Sequence, residues 1–209
     1  MPTFFHDESN LYDMRGRTFD PAAISFAAET RQPGPDWQKL SAGEAVAWLQ
    51  KTPNRIRPPV AVIGPREARP HERETAYRLG RELAAAGLTV LCGGRQGVME
   101  EVCHGVHDAG GLSVGLLPDG DWSAGNKYST VPIATGIGIA RNALIARAAH
   151  VMIAVGAGLG TISEMALGLQ FEKRVFAITE KDMIEGVEAY PTWDALAEPF
   201  YTAVLNWHE

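Results

Sequence analysis

Positive charge is scarce in this 209-residue chain: 19 Lys and Arg stand against 25 Asp and Glu, a formal charge of −6. A nucleic-acid groove or an anionic membrane surface needs clustered cations, so neither is expected as the main partner. A small anion is another matter, because one helix terminus and one or two arginines can hold it. Cysteine is nearly absent. Cys92 and Cys103 both lie in apolar patterns, which excludes a disulfide framework and points to reduced, buried thiols. No basic or apolar leader and no apolar run of membrane-spanning length occurs, so the expected compartment is the cytoplasm. Internal repeats, low-complexity tracts, the G-x-G-x-x-G dinucleotide fingerprint and the P-loop Gly-Lys-Ser/Thr are all missing.

What is present is a full complement of core residues: 45% of the chain is apolar, as in globular proteins. Residues 1–56 differ from the rest and read as an appendage with a linker. Within them, Leu11 to Phe19 alternates around Arg15-Gly16 and predicts a hairpin. Asp20-Pro21 and Gln32 to Pro35 predict turns. Ser41-Ala42-Gly43-Glu44 matches a capping box ahead of Ala45, Val46, Trp48 and Leu49, and proline-rich Lys51 to Pro59 reads as the linker. A lid or an interface is the expected role of this segment.

From residue 57 onward strand and helix alternate. Buried strands are predicted at 60–64, 88–92, 112–117, 151–155 and 174–178, with a short one around 130–133. Helices are predicted at 72–86, from 98 to about 110, at 141–149, through Ile162, Met165, Ala166 and Leu169, and at 192–206. Repeated β-α units of this length imply an α/β domain over 57–209 with a doubly wound, mostly parallel sheet. The polar stretch from Asp119 to Gly138, at the carboxyl end of a strand, is the length of a functional loop.

Two glycine-rich turns carry the chemistry. Gly93-Gly94-Arg95-Gln96-Gly97 and Gly156-Ala157-Gly158-Leu159-Gly160-Thr161 each follow a strand and open a helix. Glycine lets backbone N–H groups approach a ligand at a positive helix terminus, so phosphate is the natural occupant. The glycines could instead serve only as tight turns. In an open sheet, however, both turns face the carboxyl edge, where they converge on one crevice. Thr161 can cap its helix or contact the anion. Glu164, one turn on, suits either the helix dipole or a role beside the ligand. Arg141, at a helix start where a cation opposes the dipole, supplies positive charge together with the polar Asn142. His104 and His107 lie three apart without a third ligand, so no metal site is expected and both read as solvated or core residues.

These segments, with Val98-Met99, Arg141-Asn142 and Glu164, resemble the LONELY GUY group. Its typical members are cytokinin riboside 5′-monophosphate phosphoribohydrolases with a G-G-G-x-x-G-L-M turn, a P-G-G-x-G-T-x-x-E motif and an upstream catalytic arginine. The resemblance spans about Val60 to Ile178 and implies a Rossmann-like fold. It implies catalytic roles for Arg141 and Glu164. It also implies ligand contacts from Gly93, Gly94, Arg95, Gly97, Met99, Asn142, Gly156, Gly158, Leu159, Gly160 and Thr161. The implied ligand is a nucleoside 5′-monophosphate, cleaved at its N-glycosidic bond without a required cofactor. Gly156-Ala157 in place of Pro-Gly, Arg95 in place of a third glycine and Asn142 in place of lysine look closer to a sister branch that includes molybdenum cofactor carriers. That branch implies a non-catalytic carrier or sensor with the phosphate-bearing pterin as cargo. Members pair through helices flanking the site, so a homodimer or larger homo-oligomer is the implied assembly.

Overall fold

The computed structural model describes residues 3–51, 57–179 and 184–205. Contacts divide the chain into two compact units, one of Met1–Arg57 with Ala197–Glu209 and one of Pro58–Leu196.

In the first unit five short strands form an antiparallel sheet: β1 (Phe4–His6), β2 (Leu11–Tyr12), β3 (Arg17–Asp20), β4 (Ser25–Thr30) and β5 (Gln38–Leu40), in the order β4-β3-β2-β1-β5. The predicted hairpin is β2-β3, with Tyr12 opposite Thr18. Its bend is Asp13 to Gly16, where Gly16 has φ +77° and a Cβ would stand 2.0 Å from the Arg31 carbonyl oxygen. Strands β1, β4 and β5 were not expected. Each is short or lacks clear alternation, so strand pairing, together with the stacking of Phe4 on Phe26 at 5.8 Å, stands in place of a periodic signal. Helix α1 (Ala42–Lys51) begins at the predicted capping box: Ser41 N donates to Glu44 Oε2 at 2.9 Å and Glu44 N donates to Ser41 Oγ at 3.3 Å. Residues 52–56 of the predicted linker lie outside the described residues.

The second unit follows the predicted alternation. Its elements are β6 (Val60–Ile63), α2 (Pro70–Ala85), β7 (Val90–Cys92), α3 (Val98–Asp108), β8 (Ser113–Leu117), β9 (Val131–Ala134), α4 (Arg141–Ala148), β10 (Val151–Val155), α5 (Leu159–Gln170), β11 (Arg174–Ile178) and β12 (Glu188–Tyr190). Helix α6 (Trp193–Leu205) follows. Asn206, the predicted end of that helix, lies outside the described residues. All seven strands of the sheet are parallel, in the order β12-β11-β10-β6-β7-β8-β9. The chain therefore winds outward from β6 to one edge, then returns to β10 and winds to the other. The switch point between β6 and β10 is where such a sheet opens a crevice at its carboxyl edge. Every residue of β6, β7 and β10 is buried, the pattern of strands covered by helices on both faces. The chain over 119–138 includes the edge strand β9, and β12 is a strand that the sequence reading left unassigned.

Helices α2 and α3 meet through glycines. A Cβ at Gly80 would lie 2.3 Å from the Val102 carbonyl oxygen, and one at Gly105 would lie 2.0 Å from that of Tyr77. No side chain fits between the two backbones there. Gly105→Ala is therefore expected to destabilise the protein by about 2 kcal/mol through overpacking, against the roughly 1 kcal/mol that alanine gains over glycine in an unstrained helix. Urea denaturation measures this, and a variant as stable as the parent would show that the backbones are not in contact.

Candidate functional site

At the carboxyl ends of β6, β7 and β10 lies a cavity of about 460 Å³. Both glycine-rich turns reach it: the first contributes Arg95 and the helix it opens contributes Met99, the second contributes Gly158, Leu159, Gly160 and Thr161, and Arg141, Asn142 and Glu164 also line the wall. The predicted convergence of the two turns is thus a feature of the fold. Gly93, Gly94, Gly97 and Gly156 do not line the cavity, and their surroundings explain why they are glycines. A Cβ at Gly93 would stand 2.2 Å from Arg141 Nη2, so this position makes room for the guanidinium. Gly97, at φ +74°, packs on the Pro65 and Arg66 carbonyls, and Gly156, at φ +71°, packs on the Glu72 carboxyl. By contrast a Cβ at Gly160 would meet nothing within 4 Å, and one at Gly158 only Pro65 Cβ at 3.6 Å. These two glycines leave the start of α5 open to a ligand.

Thr161 does not cap its helix. Gly158 occupies the N-cap position, while Thr161 is 2% exposed and its Oγ1 is buried with no hydrogen-bond partner. An orphaned hydroxyl at a helix N-terminus, on a cavity wall, has the chemistry that suits an anion. Arg141 is the first residue of α4 and is 8% exposed; Glu164 on α5 is 6% exposed. Arg141 Nη1 donates to Glu164 Oε1 at 2.9 Å and also to Asn142 Oδ1. Asn142 Nδ2 donates in turn to Ser163 Oγ at 3.1 Å, and Ser163 Oγ donates to the Gly160 carbonyl at 2.7 Å. This chain of bonds ties the guanidinium to the second glycine-rich turn. Arg141 Nε is buried without a partner. Burial pushes the Glu164 carboxyl up to about 7, and the adjacent Arg141 only partly offsets that rise.

Arg95 is ion-paired with Asp119, which also lines the cavity, and its carbonyl accepts from Asn126 Nδ2 at 3.1 Å. Asn126 N donates to the Gly94 carbonyl at 2.8 Å, so the chain beyond β8 is fastened to the first turn. Sequence reasoning missed Gly64, Pro65, Arg66 and Glu67, which line the cavity from the loop after β6. The available signal was Gly64 itself, directly after the first buried strand, where a Cβ would lie 2.5 Å from the Val155 carbonyl oxygen. His104 stacks on Tyr128 at 4.0 Å and, like His107, lies beside Asp108. Among the described residues no group of three or more His, Cys, Asp and Glu could hold a metal ion, and no helix is long and apolar enough to cross a membrane.

The profile of the SLOG cluster4 family matches residues 57–196. Among solved structures, the molybdenum cofactor binding protein from the phototrophic bacterium Rippkaea orientalis aligns at a TM-score of 0.67 with 32% identity, over 71% of this chain and 98% of that one. An uncharacterized protein of Archaeoglobus fulgidus is 38% identical over 133 residues, 64% of this chain and 87% of the relative. Cytokinin riboside 5′-monophosphate phosphoribohydrolase LOG of Oryza sativa subsp. japonica is 33% identical over 97 residues, which span 44% of this chain and 40% of the rice protein.

The raised Glu164 carboxyl has a pH signature. A glutamate carboxyl ionises in the unfolded chain near 4.5, but Glu164 stays protonated in the fold until about 7. Between these values the folded state holds the extra proton, so stability falls as pH rises through the window and is level above it. Over the window this amounts to about 3 kcal/mol. Glu164→Gln is expected to flatten that part of the profile in urea titrations from pH 4.5 to 7.5, and an unchanged slope would contradict the placement of Glu164.

Proposed function

The chain belongs to the SLOG cluster4 family, and from that footing we propose that its crevice binds a nucleoside 5′-monophosphate and hydrolyses the N-glycosidic bond. One observation carries this reading. The orphaned Thr161 hydroxyl, at the glycine-flanked start of α5, shares its cavity with the buried Arg141–Glu164 pair. The phosphate seats on the N–H groups at 159–161 and the Thr161 hydroxyl, far enough from the broken bond to contribute binding energy without taking part in it. Loss of the base gives C1′ oxocarbenium character, and the ionised Glu164 carboxylate stabilises it electrostatically. Water attacks C1′ and passes a proton to Glu164, while the C1′–N bond pair leaves with the base, which takes a proton from solvent as Glu164 later returns its own to solvent. The products are ribose 5-phosphate and free base. With its carboxyl poised near 7, Glu164 suits proton transfer at neutral pH. Arg141 orients that carboxyl, and no cofactor enters the scheme.

A second reading rests on the similarity to the molybdenum cofactor binding protein, which spans nearly all of that chain. Here the same phosphate seat carries a phosphate-bearing pterin, with the molybdenum cofactor as cargo and Arg95 adding a cation beside it. In either case two copies pair through the apolar side chains at the cavity mouth, where Ile139 is 87% and Leu159 89% exposed, next to exposed Leu144 and Ile162.

Incubation with a panel of nucleoside 5′-monophosphates is expected to release free base and ribose 5-phosphate. Glu164→Gln should lower the rate by about a hundredfold or more, and Thr161→Val should raise KM with a smaller effect on kcat. Absence of release from every nucleotide, with saturable binding of the pterin cofactor, would replace hydrolysis by the carrier reading. Light scattering is expected to give twice the mass of one chain or a higher multiple, and a monomer would remove the pairing.

A further inference from the structure

Behind the first glycine-rich turn lie two thiols that the proposed chemistry does not use. Cys92 ends β7 and Cys103 lies in α3; both are fully buried and free, with their sulfurs 3.4 Å apart. The Cys92 sulfur accepts a hydrogen bond from Gly94 N at 3.3 Å, so it braces the turn from below. Directly above, Gly93 touches the Arg141 guanidinium with no room to spare. The other notable feature is polarity. Around Cys103 the core is not wholly apolar: Asn126, Ser113 and Ser129 are its polar neighbours, and Ser129 Oγ is buried without a hydrogen-bond partner. The Cys92 thiol beside it and, after that, its polar neighbours lower the Cys103 thiol against the effect of burial, while the contact with Cys103 and burial push Cys92 up. With the two sulfurs 3.4 Å apart, a sulfenic acid formed on Cys103 has its resolving thiol already beside it.

We propose that Cys92 and Cys103 form a peroxide-driven disulfide that displaces the Gly93–Gly94 turn and loosens the Arg141–Glu164 pair. The Cys103 thiolate attacks hydrogen peroxide, breaking the O–O bond to give a sulfenic acid and, after uptake of a proton, water. The Cys92 thiol then displaces that hydroxyl as a second water, and the S–S bond forms. The dithiol loses two electrons and the peroxide gains two. To bond, the sulfurs must close from 3.4 Å to about 2.05 Å. Gly94 N then loses its acceptor, and the turn moves under a guanidinium packed against it.

The test uses the whole chain and needs no nucleotide, so its outcome is independent of the proposed hydrolysis. After treatment with hydrogen peroxide, intact mass is expected to fall by two hydrogens. Amide exchange across residues 93–97 is expected to rise by about fivefold, the scale of one lost hydrogen bond, and dithiothreitol should reverse both changes. Cys92→Ala and Cys103→Ser should each abolish the exchange response, and Cys92→Ala should stop at a sulfenic acid trapped by dimedone. If no disulfide forms in the folded protein, or if it forms and exchange at 93–97 is unchanged, the proposal is overturned.

Discussion

Placing a carboxylate against a guanidinium away from water is costly, because each loses hydration that their mutual attraction only partly returns. The Arg141–Glu164 pair bears that cost at the switch point of the sheet, and much of the surrounding structure follows from accommodating it. Gly93 gives up its side chain so that the guanidinium can lie flat against the turn. Asn142 and Ser163 take up bonds beside the pair and pass them to the carbonyl of Gly160. What remains uncompensated is concentrated on Glu164, whose proton affinity rises until the carboxyl sits near neutrality. A charged group that is structurally expensive and poised between protonation states is characteristic of sites where chemistry occurs.

The two glycine-rich turns look alike as text yet divide their labour by atom. In the first, Gly93 and Gly97 admit other parts of the protein, namely a guanidinium and the loop after β6. In the second, Gly156 admits Glu72, whereas Gly160 has nothing against it and Gly158 only the edge of Pro65, so the helix start is left uncovered. Glycine at a ligand site can mean space filled by protein or space kept for a guest, and only the coordinates of the neighbours separate the two.

The sheet of the second unit was legible because β6, β10 and β11 are unbroken apolar runs with glycines or charges at their ends, and burial on both faces makes such runs unambiguous. Arg141, Glu164 and Thr161 were legible through spacing around the turns and their place at helix starts. The small antiparallel sheet was mostly not, since strands of two to six residues without clear alternation carry little periodicity, and β5 joins it only by pairing with the distant β1. Gly64 to Glu67 escaped notice for another reason: a single glycine after a strand is ordinary punctuation, and its part in the cavity comes from the return of the chain to β10. The bracing of the first turn by the Cys92 sulfur was equally hidden, because two cysteines eleven apart say nothing of a 3.4 Å contact.

Helix α2 joins these local arrangements. Its first turn carries the Glu72 carboxyl that underlies Gly156, and the loop leading into it supplies the carbonyls on which Gly97 rests. Its middle is fastened backbone to backbone to α3, the helix that the first turn opens. The helix therefore acts as a strut between the two lips of the crevice. No compliant side chain lies at the Gly80 and Gly105 crossing, so a displacement of one lip would be passed to the other rather than absorbed there.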